Sequence, residues 1–412
     1  MSDSAPDVVG PVAVSSMPER DETLGTRVWE NIKGGNLGSW PVLIGLAVIV
    51  LVFSLTAQNF FTPGNFNNIL TQMAGVTLLA YGVVFVLLLG EIDLSIAYVS
   101  AIAGVVAAEL QLPDSGHVLP GILPILVAVL AVVVIGAFQG SIVALIGVPS
   151  FVVTLAGLLA WQGVVQVVLG AGGPIIIQNK WINYMAQYFF SKNAGWLIAA
   201  LISAAYIGGV VLGALNKRKH GVAIRNPGLV ALKLAALPVV AFVVVAISNR
   251  DRGLPFAGVL SVIFLVLWTY VAKRTTFGRH VYAVGGNPEA ARRAGINVAR
   301  IRILVFMLSG GMAGVGGVML AARLSSVAPD QGGGTLLLDA ISAAVIGGTS
   351  LFGGRGEVRS AILGAAVIAT IANGLFIFQF SNGVIFITTG CILLFAVTLD
   401  TLARRRQAKT GR

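Results

Sequence analysis

The stretch KRTTFGRHVYAVGGNPEAARRAGINVARIR, residues 273–302, contains seven Lys and Arg residues and a single acidic residue, Glu289. It lies between two long apolar runs, and so much charge does not lie within hydrocarbon. Its centre carries the signals of a short helix. Asn287 is a good N-cap, Pro288 suits the first helical position, Glu289 favours the positive end, and Gly295 suits the end of the helix.

A helix of about two turns is unstable alone, so we expect this one to dock on something. Two interpretations remain open at this point. The segment is either an idle solvated turn or a surface that a second protein binds.

The composition of the chain excludes a soluble globular protein. Hydrophobic residues make up 57% and charged residues only 10%, with a mean hydropathy of +0.91, whereas soluble proteins carry about 25% charged residues. The 51 glycines fall inside apolar runs, as in closely packed membrane helices. The sequence therefore predicts an all-α, polytopic transmembrane helical bundle.

Apolar runs of about 18 residues or more predict spanning helices. Twelve such runs predict ten to twelve spanning helices, near 40–57, 67–89, 94–110, 119–147, 150–169, 195–215, 228–248, 255–272, 301–322, 335–352, 358–380 and 383–402. The run at 335–352 contains Asp339 and is interrupted by Gly347 and Gly348, so a broken or re-entrant segment is an alternative there.

These runs divide the chain into three parts. We expect a mostly disordered cytoplasmic tail without a signal peptide at 1–39, a transmembrane domain at 40–402 and a basic cytoplasmic tail at 403–412. The domain includes the cytoplasmic loop 273–302. With the N-terminus inside, 21 of the 27 Lys and Arg residues fall in inside segments and five in outside loops. This bias predicts that both termini are cytoplasmic. Anionic membrane lipid then accounts for the net charge of +11, and no nucleic acid partner is expected.

Two acidic residues, Glu91 and Asp93, separate two apolar runs in LLLGEIDLSIAYVS, residues 87–100. If the break lies at the membrane surface, they are turn residues, and Asp93 or Ser95 caps the next helix. If the break lies deeper, they flank an unwound segment of the kind that lines solute pathways. The sequence leaves both alternatives open.

Several polar residues within apolar runs are candidates to meet a hydroxylated solute, together with Glu91, Asp93 and Ser95. They are Asn68, Gln72, Thr154, Trp161 and Gln162. Thr154 and Gln162 are eight residues apart and share one helix face. A neutral polar lining with an aromatic side chain suits an uncharged sugar better than an ion. The alternative is that these residues make interhelical hydrogen bonds that only hold the bundle together.

No motif in the chain predicts catalysis or a bound cofactor. The glycine-rich stretch 347–356 lacks the Gly-Lys-Ser/Thr ending of a phosphate-binding loop, and SGGMAGVGG, residues 309–317, is a predicted helix-packing surface. The three histidines lie far apart, so a metal site is not expected. If ATP drives this protein, another polypeptide must bind the nucleotide.

Four motifs carry a family resemblance: GEIDLS at 90–95, PSFVVTLAGLLAWQGVV at 149–165, TTFGRHVYAVGGNPEAARRAGINV at 275–298 and LDAISAAVIGGTSLFGGRG at 338–356. With them, the chain resembles the permease subunits of bacterial ATP-binding-cassette (ABC) importers for monosaccharides, of the type II-like fold. It is most similar to the ribose and xylose permeases. The inserted pair of spans around residues 216–228 favours the xylose type.

The resemblance implies an inner-membrane protein with several partners. These are a second, identical permease copy, cytoplasmic ABC ATPase subunits that bind ATP and Mg, and an extracytoplasmic sugar-binding protein. The chain itself would bind no cofactor and hold no ATPase site. An ion-gradient-driven secondary sugar carrier or a channel is the alternative.

The resemblance also implies roles for particular residues. The family's acidic turn matches Glu91, Asp93, Leu94 and Ser95. Its cytoplasmic coupling motif matches Gly285, Asn287, Ala290, Ala291, Gly295 and Ile296. Within this segment we expect Glu289, Arg292 and Arg293 to take part in coupling as well, since small alanines allow close seating in a cleft and arginines pair with acids at its rim.

Overall fold

A computed structural model describes residues 40–113, 116–220 and 227–409. The predicted tail 1–39 lies outside the described residues. The predicted tail 403–412 begins as a continuation of the last helix, which extends to Lys409.

The described chain is helical almost throughout. Its helices are α1 (Trp40–Thr56), α2 (Pro63–Leu88), α3 (Ile96–Glu109), α4 (Leu123–Ser141), α5 (Ser150–Leu169), α6 (Lys180–Gln187), α7 (Lys192–Lys219), α8 (Pro227–Ser248), α9 (Phe256–Arg274), α10 (Thr276–Gly286), α11 (Pro288–Arg293), α12 (Val298–Leu324), α13 (Leu336–Ile346), α14 (Arg359–Ile377) and α15 (Asn382–Lys409). A π-helical turn, Ile142–Ile146, continues α4.

Two short strand pairs tie loops together at one end of the bundle. The strands are β1 (Ile175–Ile176), β2 (Phe189–Phe190), β3 (Leu254–Pro255) and β4 (Ser326–Val327). β1 pairs antiparallel with β4, and β2 pairs antiparallel with β3.

Seven helices in the described part of the chain are long and apolar enough to cross a membrane: α2, α4 with its π-helical turn, α5, α7, α9, α12 and α14. Shorter apolar segments occur in α1, α3, α8, α13 and α15, and together the twelve helices fall at the twelve predicted positions. The run at 335–352 is broken, as its glycines indicated, because α13 ends at Ile346 and a loop follows. The predicted polytopic helical bundle is confirmed.

α12 lies at the centre of the bundle and packs against α2, α3 and α4. Its glycines allow these helices to approach closely. Gly310 abuts Val132 of α4, and Gly317 abuts the backbone of Ser100 in α3. The predicted helix-packing surface at 309–317 is therefore present, and it brings Ser309 into the interior.

A polar cluster fastens the start of α2 to the loop between α8 and α9. The side-chain amide of Asn67, fully buried, donates to Asp251 Oδ2 at 2.9 Å and to the carbonyl oxygen of Gly253 at 3.3 Å. Arg252 Nε also donates to Asp251 Oδ2, at 3.2 Å. The hydrogen bond from Asn67, followed by those from Arg252, holds the pKa of Asp251 below its usual range.

Candidate functional site

The chain breaks between α2 and α3, and the break carries Asp93 into the interior. Gly90 adopts φ +76°, a left-handed conformation that reverses the chain at little cost for glycine. Asp93 is only 7% exposed. Its Oδ1 accepts hydrogen bonds from Ser95 Oγ at 2.7 Å and from the Ser95 backbone N–H at 3.0 Å. Its Oδ2 accepts one from Ser309 Oγ at 2.8 Å.

The partner of Asp93 shows how deep this break lies. Ser309 follows Val298, the first residue of α12, by eleven positions, which corresponds to about 16 Å along the helix axis. Asp93 therefore lies level with the middle of α12. Of the two alternatives that the sequence left open, the structure has the deeper, unwound segment at Asp93, and both acceptor oxygens bind neighbouring side chains.

The start of α5 and the last turn of α4 hold the same break from the other side. Ile92 N–H donates to Ser150 Oγ at 3.1 Å. The Thr154 hydroxyl shares its one hydrogen between the Ser150 carbonyl at 2.9 Å and the Ile92 carbonyl at 3.1 Å. The side-chain amide of Gln139 lies 3.0 Å from Ser95 Oγ. Ser95 has one hydroxyl hydrogen, which Asp93 accepts, so the Gln139 amide joins this cluster as a donor when its oxygen and nitrogen exchange places.

Glu91, at the start of the break, lies nearer the end of the bundle than Asp93. Its Oε1 forms an ion pair with Arg302 Nε at 2.9 Å, and the two side chains are 13% and 27% exposed. Arg302 precedes Ser309 by seven residues, so the two residues of α12 that Glu91 and Asp93 contact lie about 10 Å apart along the helix axis. One short segment thus connects an ion pair near the bundle end to a hydrogen-bonded cluster in its middle.

The predicted short helix is present as α11. The side chain of Asn287 caps it by accepting the Ala290 N–H at 3.0 Å, and Gly295 follows with φ +82°. Ala291 is buried, and Ile296 packs against the core. Gly285 is half-buried, and the remaining residues predicted to take part in coupling are exposed, namely Asn287, Glu289, Ala290, Arg292, Arg293 and Gly295. α11 is therefore anchored through its apolar residues and presents a polar face.

A second helix, α10, precedes α11, and the sequence did not predict it. Thr275 caps it by accepting the Gly278 N–H at 3.2 Å, and its apolar residues Val281 and Val284 are buried. Tyr282 Oη donates to the Gly356 carbonyl at 2.8 Å. Burial, followed by the negative charge of Glu357, raises the pKa of Tyr282.

α10 lies directly against the end of α2. A Cβ atom at Gly285 would overlap the carbonyl oxygen of Leu88, and that same oxygen accepts the Gly354 N–H at 2.9 Å. Only glycine permits this approach. The end of α2, α10 and the loop 347–357 therefore form one packed unit immediately below the break.

A cleft of about 320 Å³ opens between the end of α11 and the start of α12. Its lining includes both Arg292 and Arg302 together with Ala144 of the π-helical turn; the rest is Gly295, Ile296, Asn297, Val298 and Ala299. The arginine that holds Glu91 is thus accessible from the face that carries α11.

The structure brings together Asp93, Ser95 and Thr154 among the residues predicted to meet a solute. Asn68 is exposed near the other end of α2, about 30 Å along the helix from Leu88, and accepts a hydrogen bond from Arg252 Nη2 at 3.2 Å. Gln72 is half-buried on the same helix. That all of these residues contact a solute stays a prediction.

Trp161 and Gln162 are half-buried on α5. Trp161 Nε1 is buried and has no hydrogen-bond partner among the described residues. That Trp161 and Gln162 contact a solute stays a prediction.

Sequence reasoning missed Gln139, Ser150, Arg302 and Ser309 as members of this site. Gln139 interrupts an apolar run, which is a signal that was available. Ser309 was hidden because it begins the glycine-rich packing stretch. In the described ranges, no group of three or more potential metal ligands occurs.

The fold and these contacts define a multi-pass helical membrane protein with an unwound interior segment and, next to it, the short and largely exposed helix α11. The chain belongs to the family of branched-chain amino acid transport system permease components, whose model matches residues 65–398. It is a transport subunit of the ABC importer class, as its motifs predicted.

Several characterised permeases are similar along nearly the whole chain. The xylose transport system permease protein XylH of Escherichia coli (strain K12) is 34% identical over 381 residues, 92% of this chain and 95% of the relative. XylH of Haemophilus influenzae is 33% identical, covering 91% and 99%. The ribose import permease protein RbsC of E. coli is 32% identical, covering 87% and 92%. No solved structure matched the chain.

Proposed function

We propose that this chain is the membrane-spanning permease of an ATP-driven monosaccharide importer, with xylose as its sugar. The relatives are named as xylose and ribose permeases, which supports a pentose as the sugar. XylH is more similar to this chain than RbsC is, and over a larger share of it. The chain forms the translocation path as one of two identical copies. An extracytoplasmic binding protein delivers the sugar, and separate cytoplasmic ATPase subunits bind ATP and Mg. The chain has no ATPase site of its own, and both its termini are cytoplasmic.

The observation that carries this proposal is the placement of α11. Its polar face is exposed, while Ala291 and Ile296 fix it to the bundle. α10 connects α11 to the end of α2 through the contact of Gly285 with Leu88. A force applied to α11 by a partner therefore reaches the end of α2 through packed backbone rather than through a flexible loop.

The break between α2 and α3 is the element that such a force would move. It is unwound, so it has fewer backbone hydrogen bonds than a helix, and it is held by side chains from α4, α5 and α12. Binding and hydrolysis of ATP in the partner would shift these side chains between two arrangements and alternate the access of the sugar path.

Ala290 provides the direct test of docking, because it is exposed whereas Ala291 faces its own chain. We expect Ala290→Trp to lower association with the ATPase subunit of the same transport system by at least about tenfold, since a bulky side chain prevents close seating. Association is measured by pull-down, and sugar uptake should fall with it. Val118→Trp, at an exposed position in the loop after α3, is the matched control. Unchanged association and unchanged uptake in Ala290→Trp would contradict the docking role.

The sugar is tested in the complete complex, with the binding protein, reconstituted in liposomes. Xylose should stimulate ATP hydrolysis more strongly than ribose or glucose at equal concentration. Equal stimulation by hexoses would contradict the assignment of a pentose and leave the docking role standing.

A further inference from the structure

Arg302 faces in two directions, which gives the cleft beside α11 a specific chemistry. It pairs with Glu91 of the break, and it also lines the cleft together with Arg292. Arg292 is at the rim, with a 61% exposed side chain, while Arg302 is the deeper of the two at 27%. The cleft therefore presents one outer and one inner guanidinium to anything that enters.

The charges around the cleft favour an acidic occupant. Arg292 is paired within α11 to Glu289 at 2.7 Å, but both side chains are largely exposed, and exposed pairs of this kind are weak. Arg302 has Glu91 as its single acidic partner among the described residues, and a guanidinium carries five donors. Donors of Arg302 remain available to a second carboxylate, and guanidinium binds carboxylate in a bidentate manner.

We propose that an acidic side chain of the partner ATPase enters this cleft and competes with Glu91 for Arg302. The proposal rests on the proposed function, because it requires an ATPase bound at α11. When a partner carboxylate binds the free donors of Arg302, it draws the guanidinium toward the cleft and away from Glu91. Glu91 then loses its counter-ion, and the segment that carries Asp93 is released at its lower end. Arg302 is thus a positioning residue that links docking to the break in the middle of the bundle.

Exchanging the two charges of the Glu91–Arg302 ion pair distinguishes competition for Arg302 from a purely structural role of the pair. In the double variant Glu91→Arg/Arg302→Glu, the internal pair is restored with reversed sign, but the cleft now presents a carboxylate to the partner. If the ion pair is purely structural, the double variant should regain thermal stability, ATPase binding and coupled ATP hydrolysis. If the ATPase competes with Glu91 for Arg302, the double variant should regain thermal stability but not ATPase binding.

The variants are Arg302→Gln, Glu91→Gln and the exchanged pair. Arg300→Gln, which removes an exposed charge from the same helix outside the cleft lining, is the matched control. Each is purified, its melting temperature is measured, and it is reconstituted with the ATPase subunit and the sugar-binding protein. Binding of the ATPase, ATP hydrolysis without sugar, and ATP hydrolysed per sugar imported are then recorded.

We expect Arg302→Gln to weaken ATPase binding about tenfold or more, and Arg300→Gln to change it less than about threefold. Glu91→Gln should bind the ATPase more tightly and raise sugar-independent hydrolysis severalfold, since the competitor is gone. The double variant with exchanged charges should recover the wild-type melting temperature, but it should bind the ATPase at least about tenfold more weakly than the wild type.

Recovery of ATPase binding and coupling by the exchanged pair would overturn this inference and leave the docking function intact. If even the wild-type complex imports no sugar with ATP, the proposed function itself fails. The two failures are therefore distinguishable in one set of measurements.

Discussion

At the scale of single residues, the central observation is a carboxylate in the middle of a membrane bundle. Charged groups there are costly unless neighbours satisfy them, and Asp93 accepts hydrogen bonds from Ser95 and Ser309. Removing one donor leaves a buried acceptor unsatisfied, which costs more than the bond itself contributes. The cluster therefore fixes the position of the break as long as each member is present.

Ser309→Ala should destabilise the protein by about 2 kcal/mol, because it leaves a buried oxygen of Asp93 without its hydrogen-bond donor. The matched control is Ser342→Ala. Both serines are fully buried, but Ser342 Oγ has no hydrogen-bond partner among the described residues. The melting temperature in detergent should fall for Ser309→Ala and hold or rise for Ser342→Ala. Equal losses in the two variants would contradict the role assigned to Asp93.

The cluster at the start of α2 gives stability a dependence on pH. The pKa of Asp251 is lowered in the folded protein, chiefly by the hydrogen bond from Asn67. Its contribution is therefore complete above the unfolded pKa of about 4 and is lost as pH falls through the lowered folded pKa. The difference in melting temperature between the wild type and Asp251→Asn should be constant from about pH 7 to 5 and shrink below about pH 4. A difference that persists unchanged at pH 3 would refute this account.

At the scale of elements, the sequence predicted α11 well because its signals are local. A capping side chain at Asn287, a proline and a glycine with positive φ specify the helix without reference to the rest of the chain. α10 has a capping threonine too, but its two terminal glycines obscure it, and it is stabilised by burial of Val281 and Val284. The depth of the break was likewise invisible, since only the contact between Asp93 and Ser309, 216 residues apart, reveals it.

The contact between α10 and α2 can be tested at Gly285. Gly285→Ala places a methyl group against the Leu88 carbonyl, and we expect overpacking to cost about 1 to 3 kcal/mol and to impair ATP-driven uptake. Gly286→Ala is the matched control, because a Cβ atom there meets no atom within 4 Å. Hydrogen exchange of α10 should increase in Gly285→Ala alone. Equal exchange in both variants would show that this contact does not hold α10 in place.

At the scale of the whole molecule, the twelve apolar helices place α11 and the loop after α3 at opposite ends of the bundle. The sequence predicted this arrangement from the distribution of Lys and Arg. The sequence did not predict which helices are buried in the bundle and which lie at its surface. The reason is that lipid-facing and buried sides of a membrane helix are similarly apolar. α2 and α12 are mostly buried, whereas α5, α7 and α9 expose most of their length.

This arrangement is testable with cysteine labelling, because Cys391 is the only cysteine of the chain. In a Cys391→Ser background, a membrane-impermeant maleimide should label Val118→Cys in spheroplasts. Ala290→Cys should be labelled only after the membrane is made permeable. Labelling of both positions from the same side would contradict the topology.

Our central proposal is that an external ATPase drives this permease through α11. Uptake of radioactive xylose into liposomes that contain the permease, its ATPase subunit and the sugar-binding protein tests it most directly. Uptake should require ATP on the side of α11 and should stop when the ATPase subunit is omitted, whatever proton or sodium gradient is imposed. Sugar accumulation by the permease alone under an ion gradient would contradict the account.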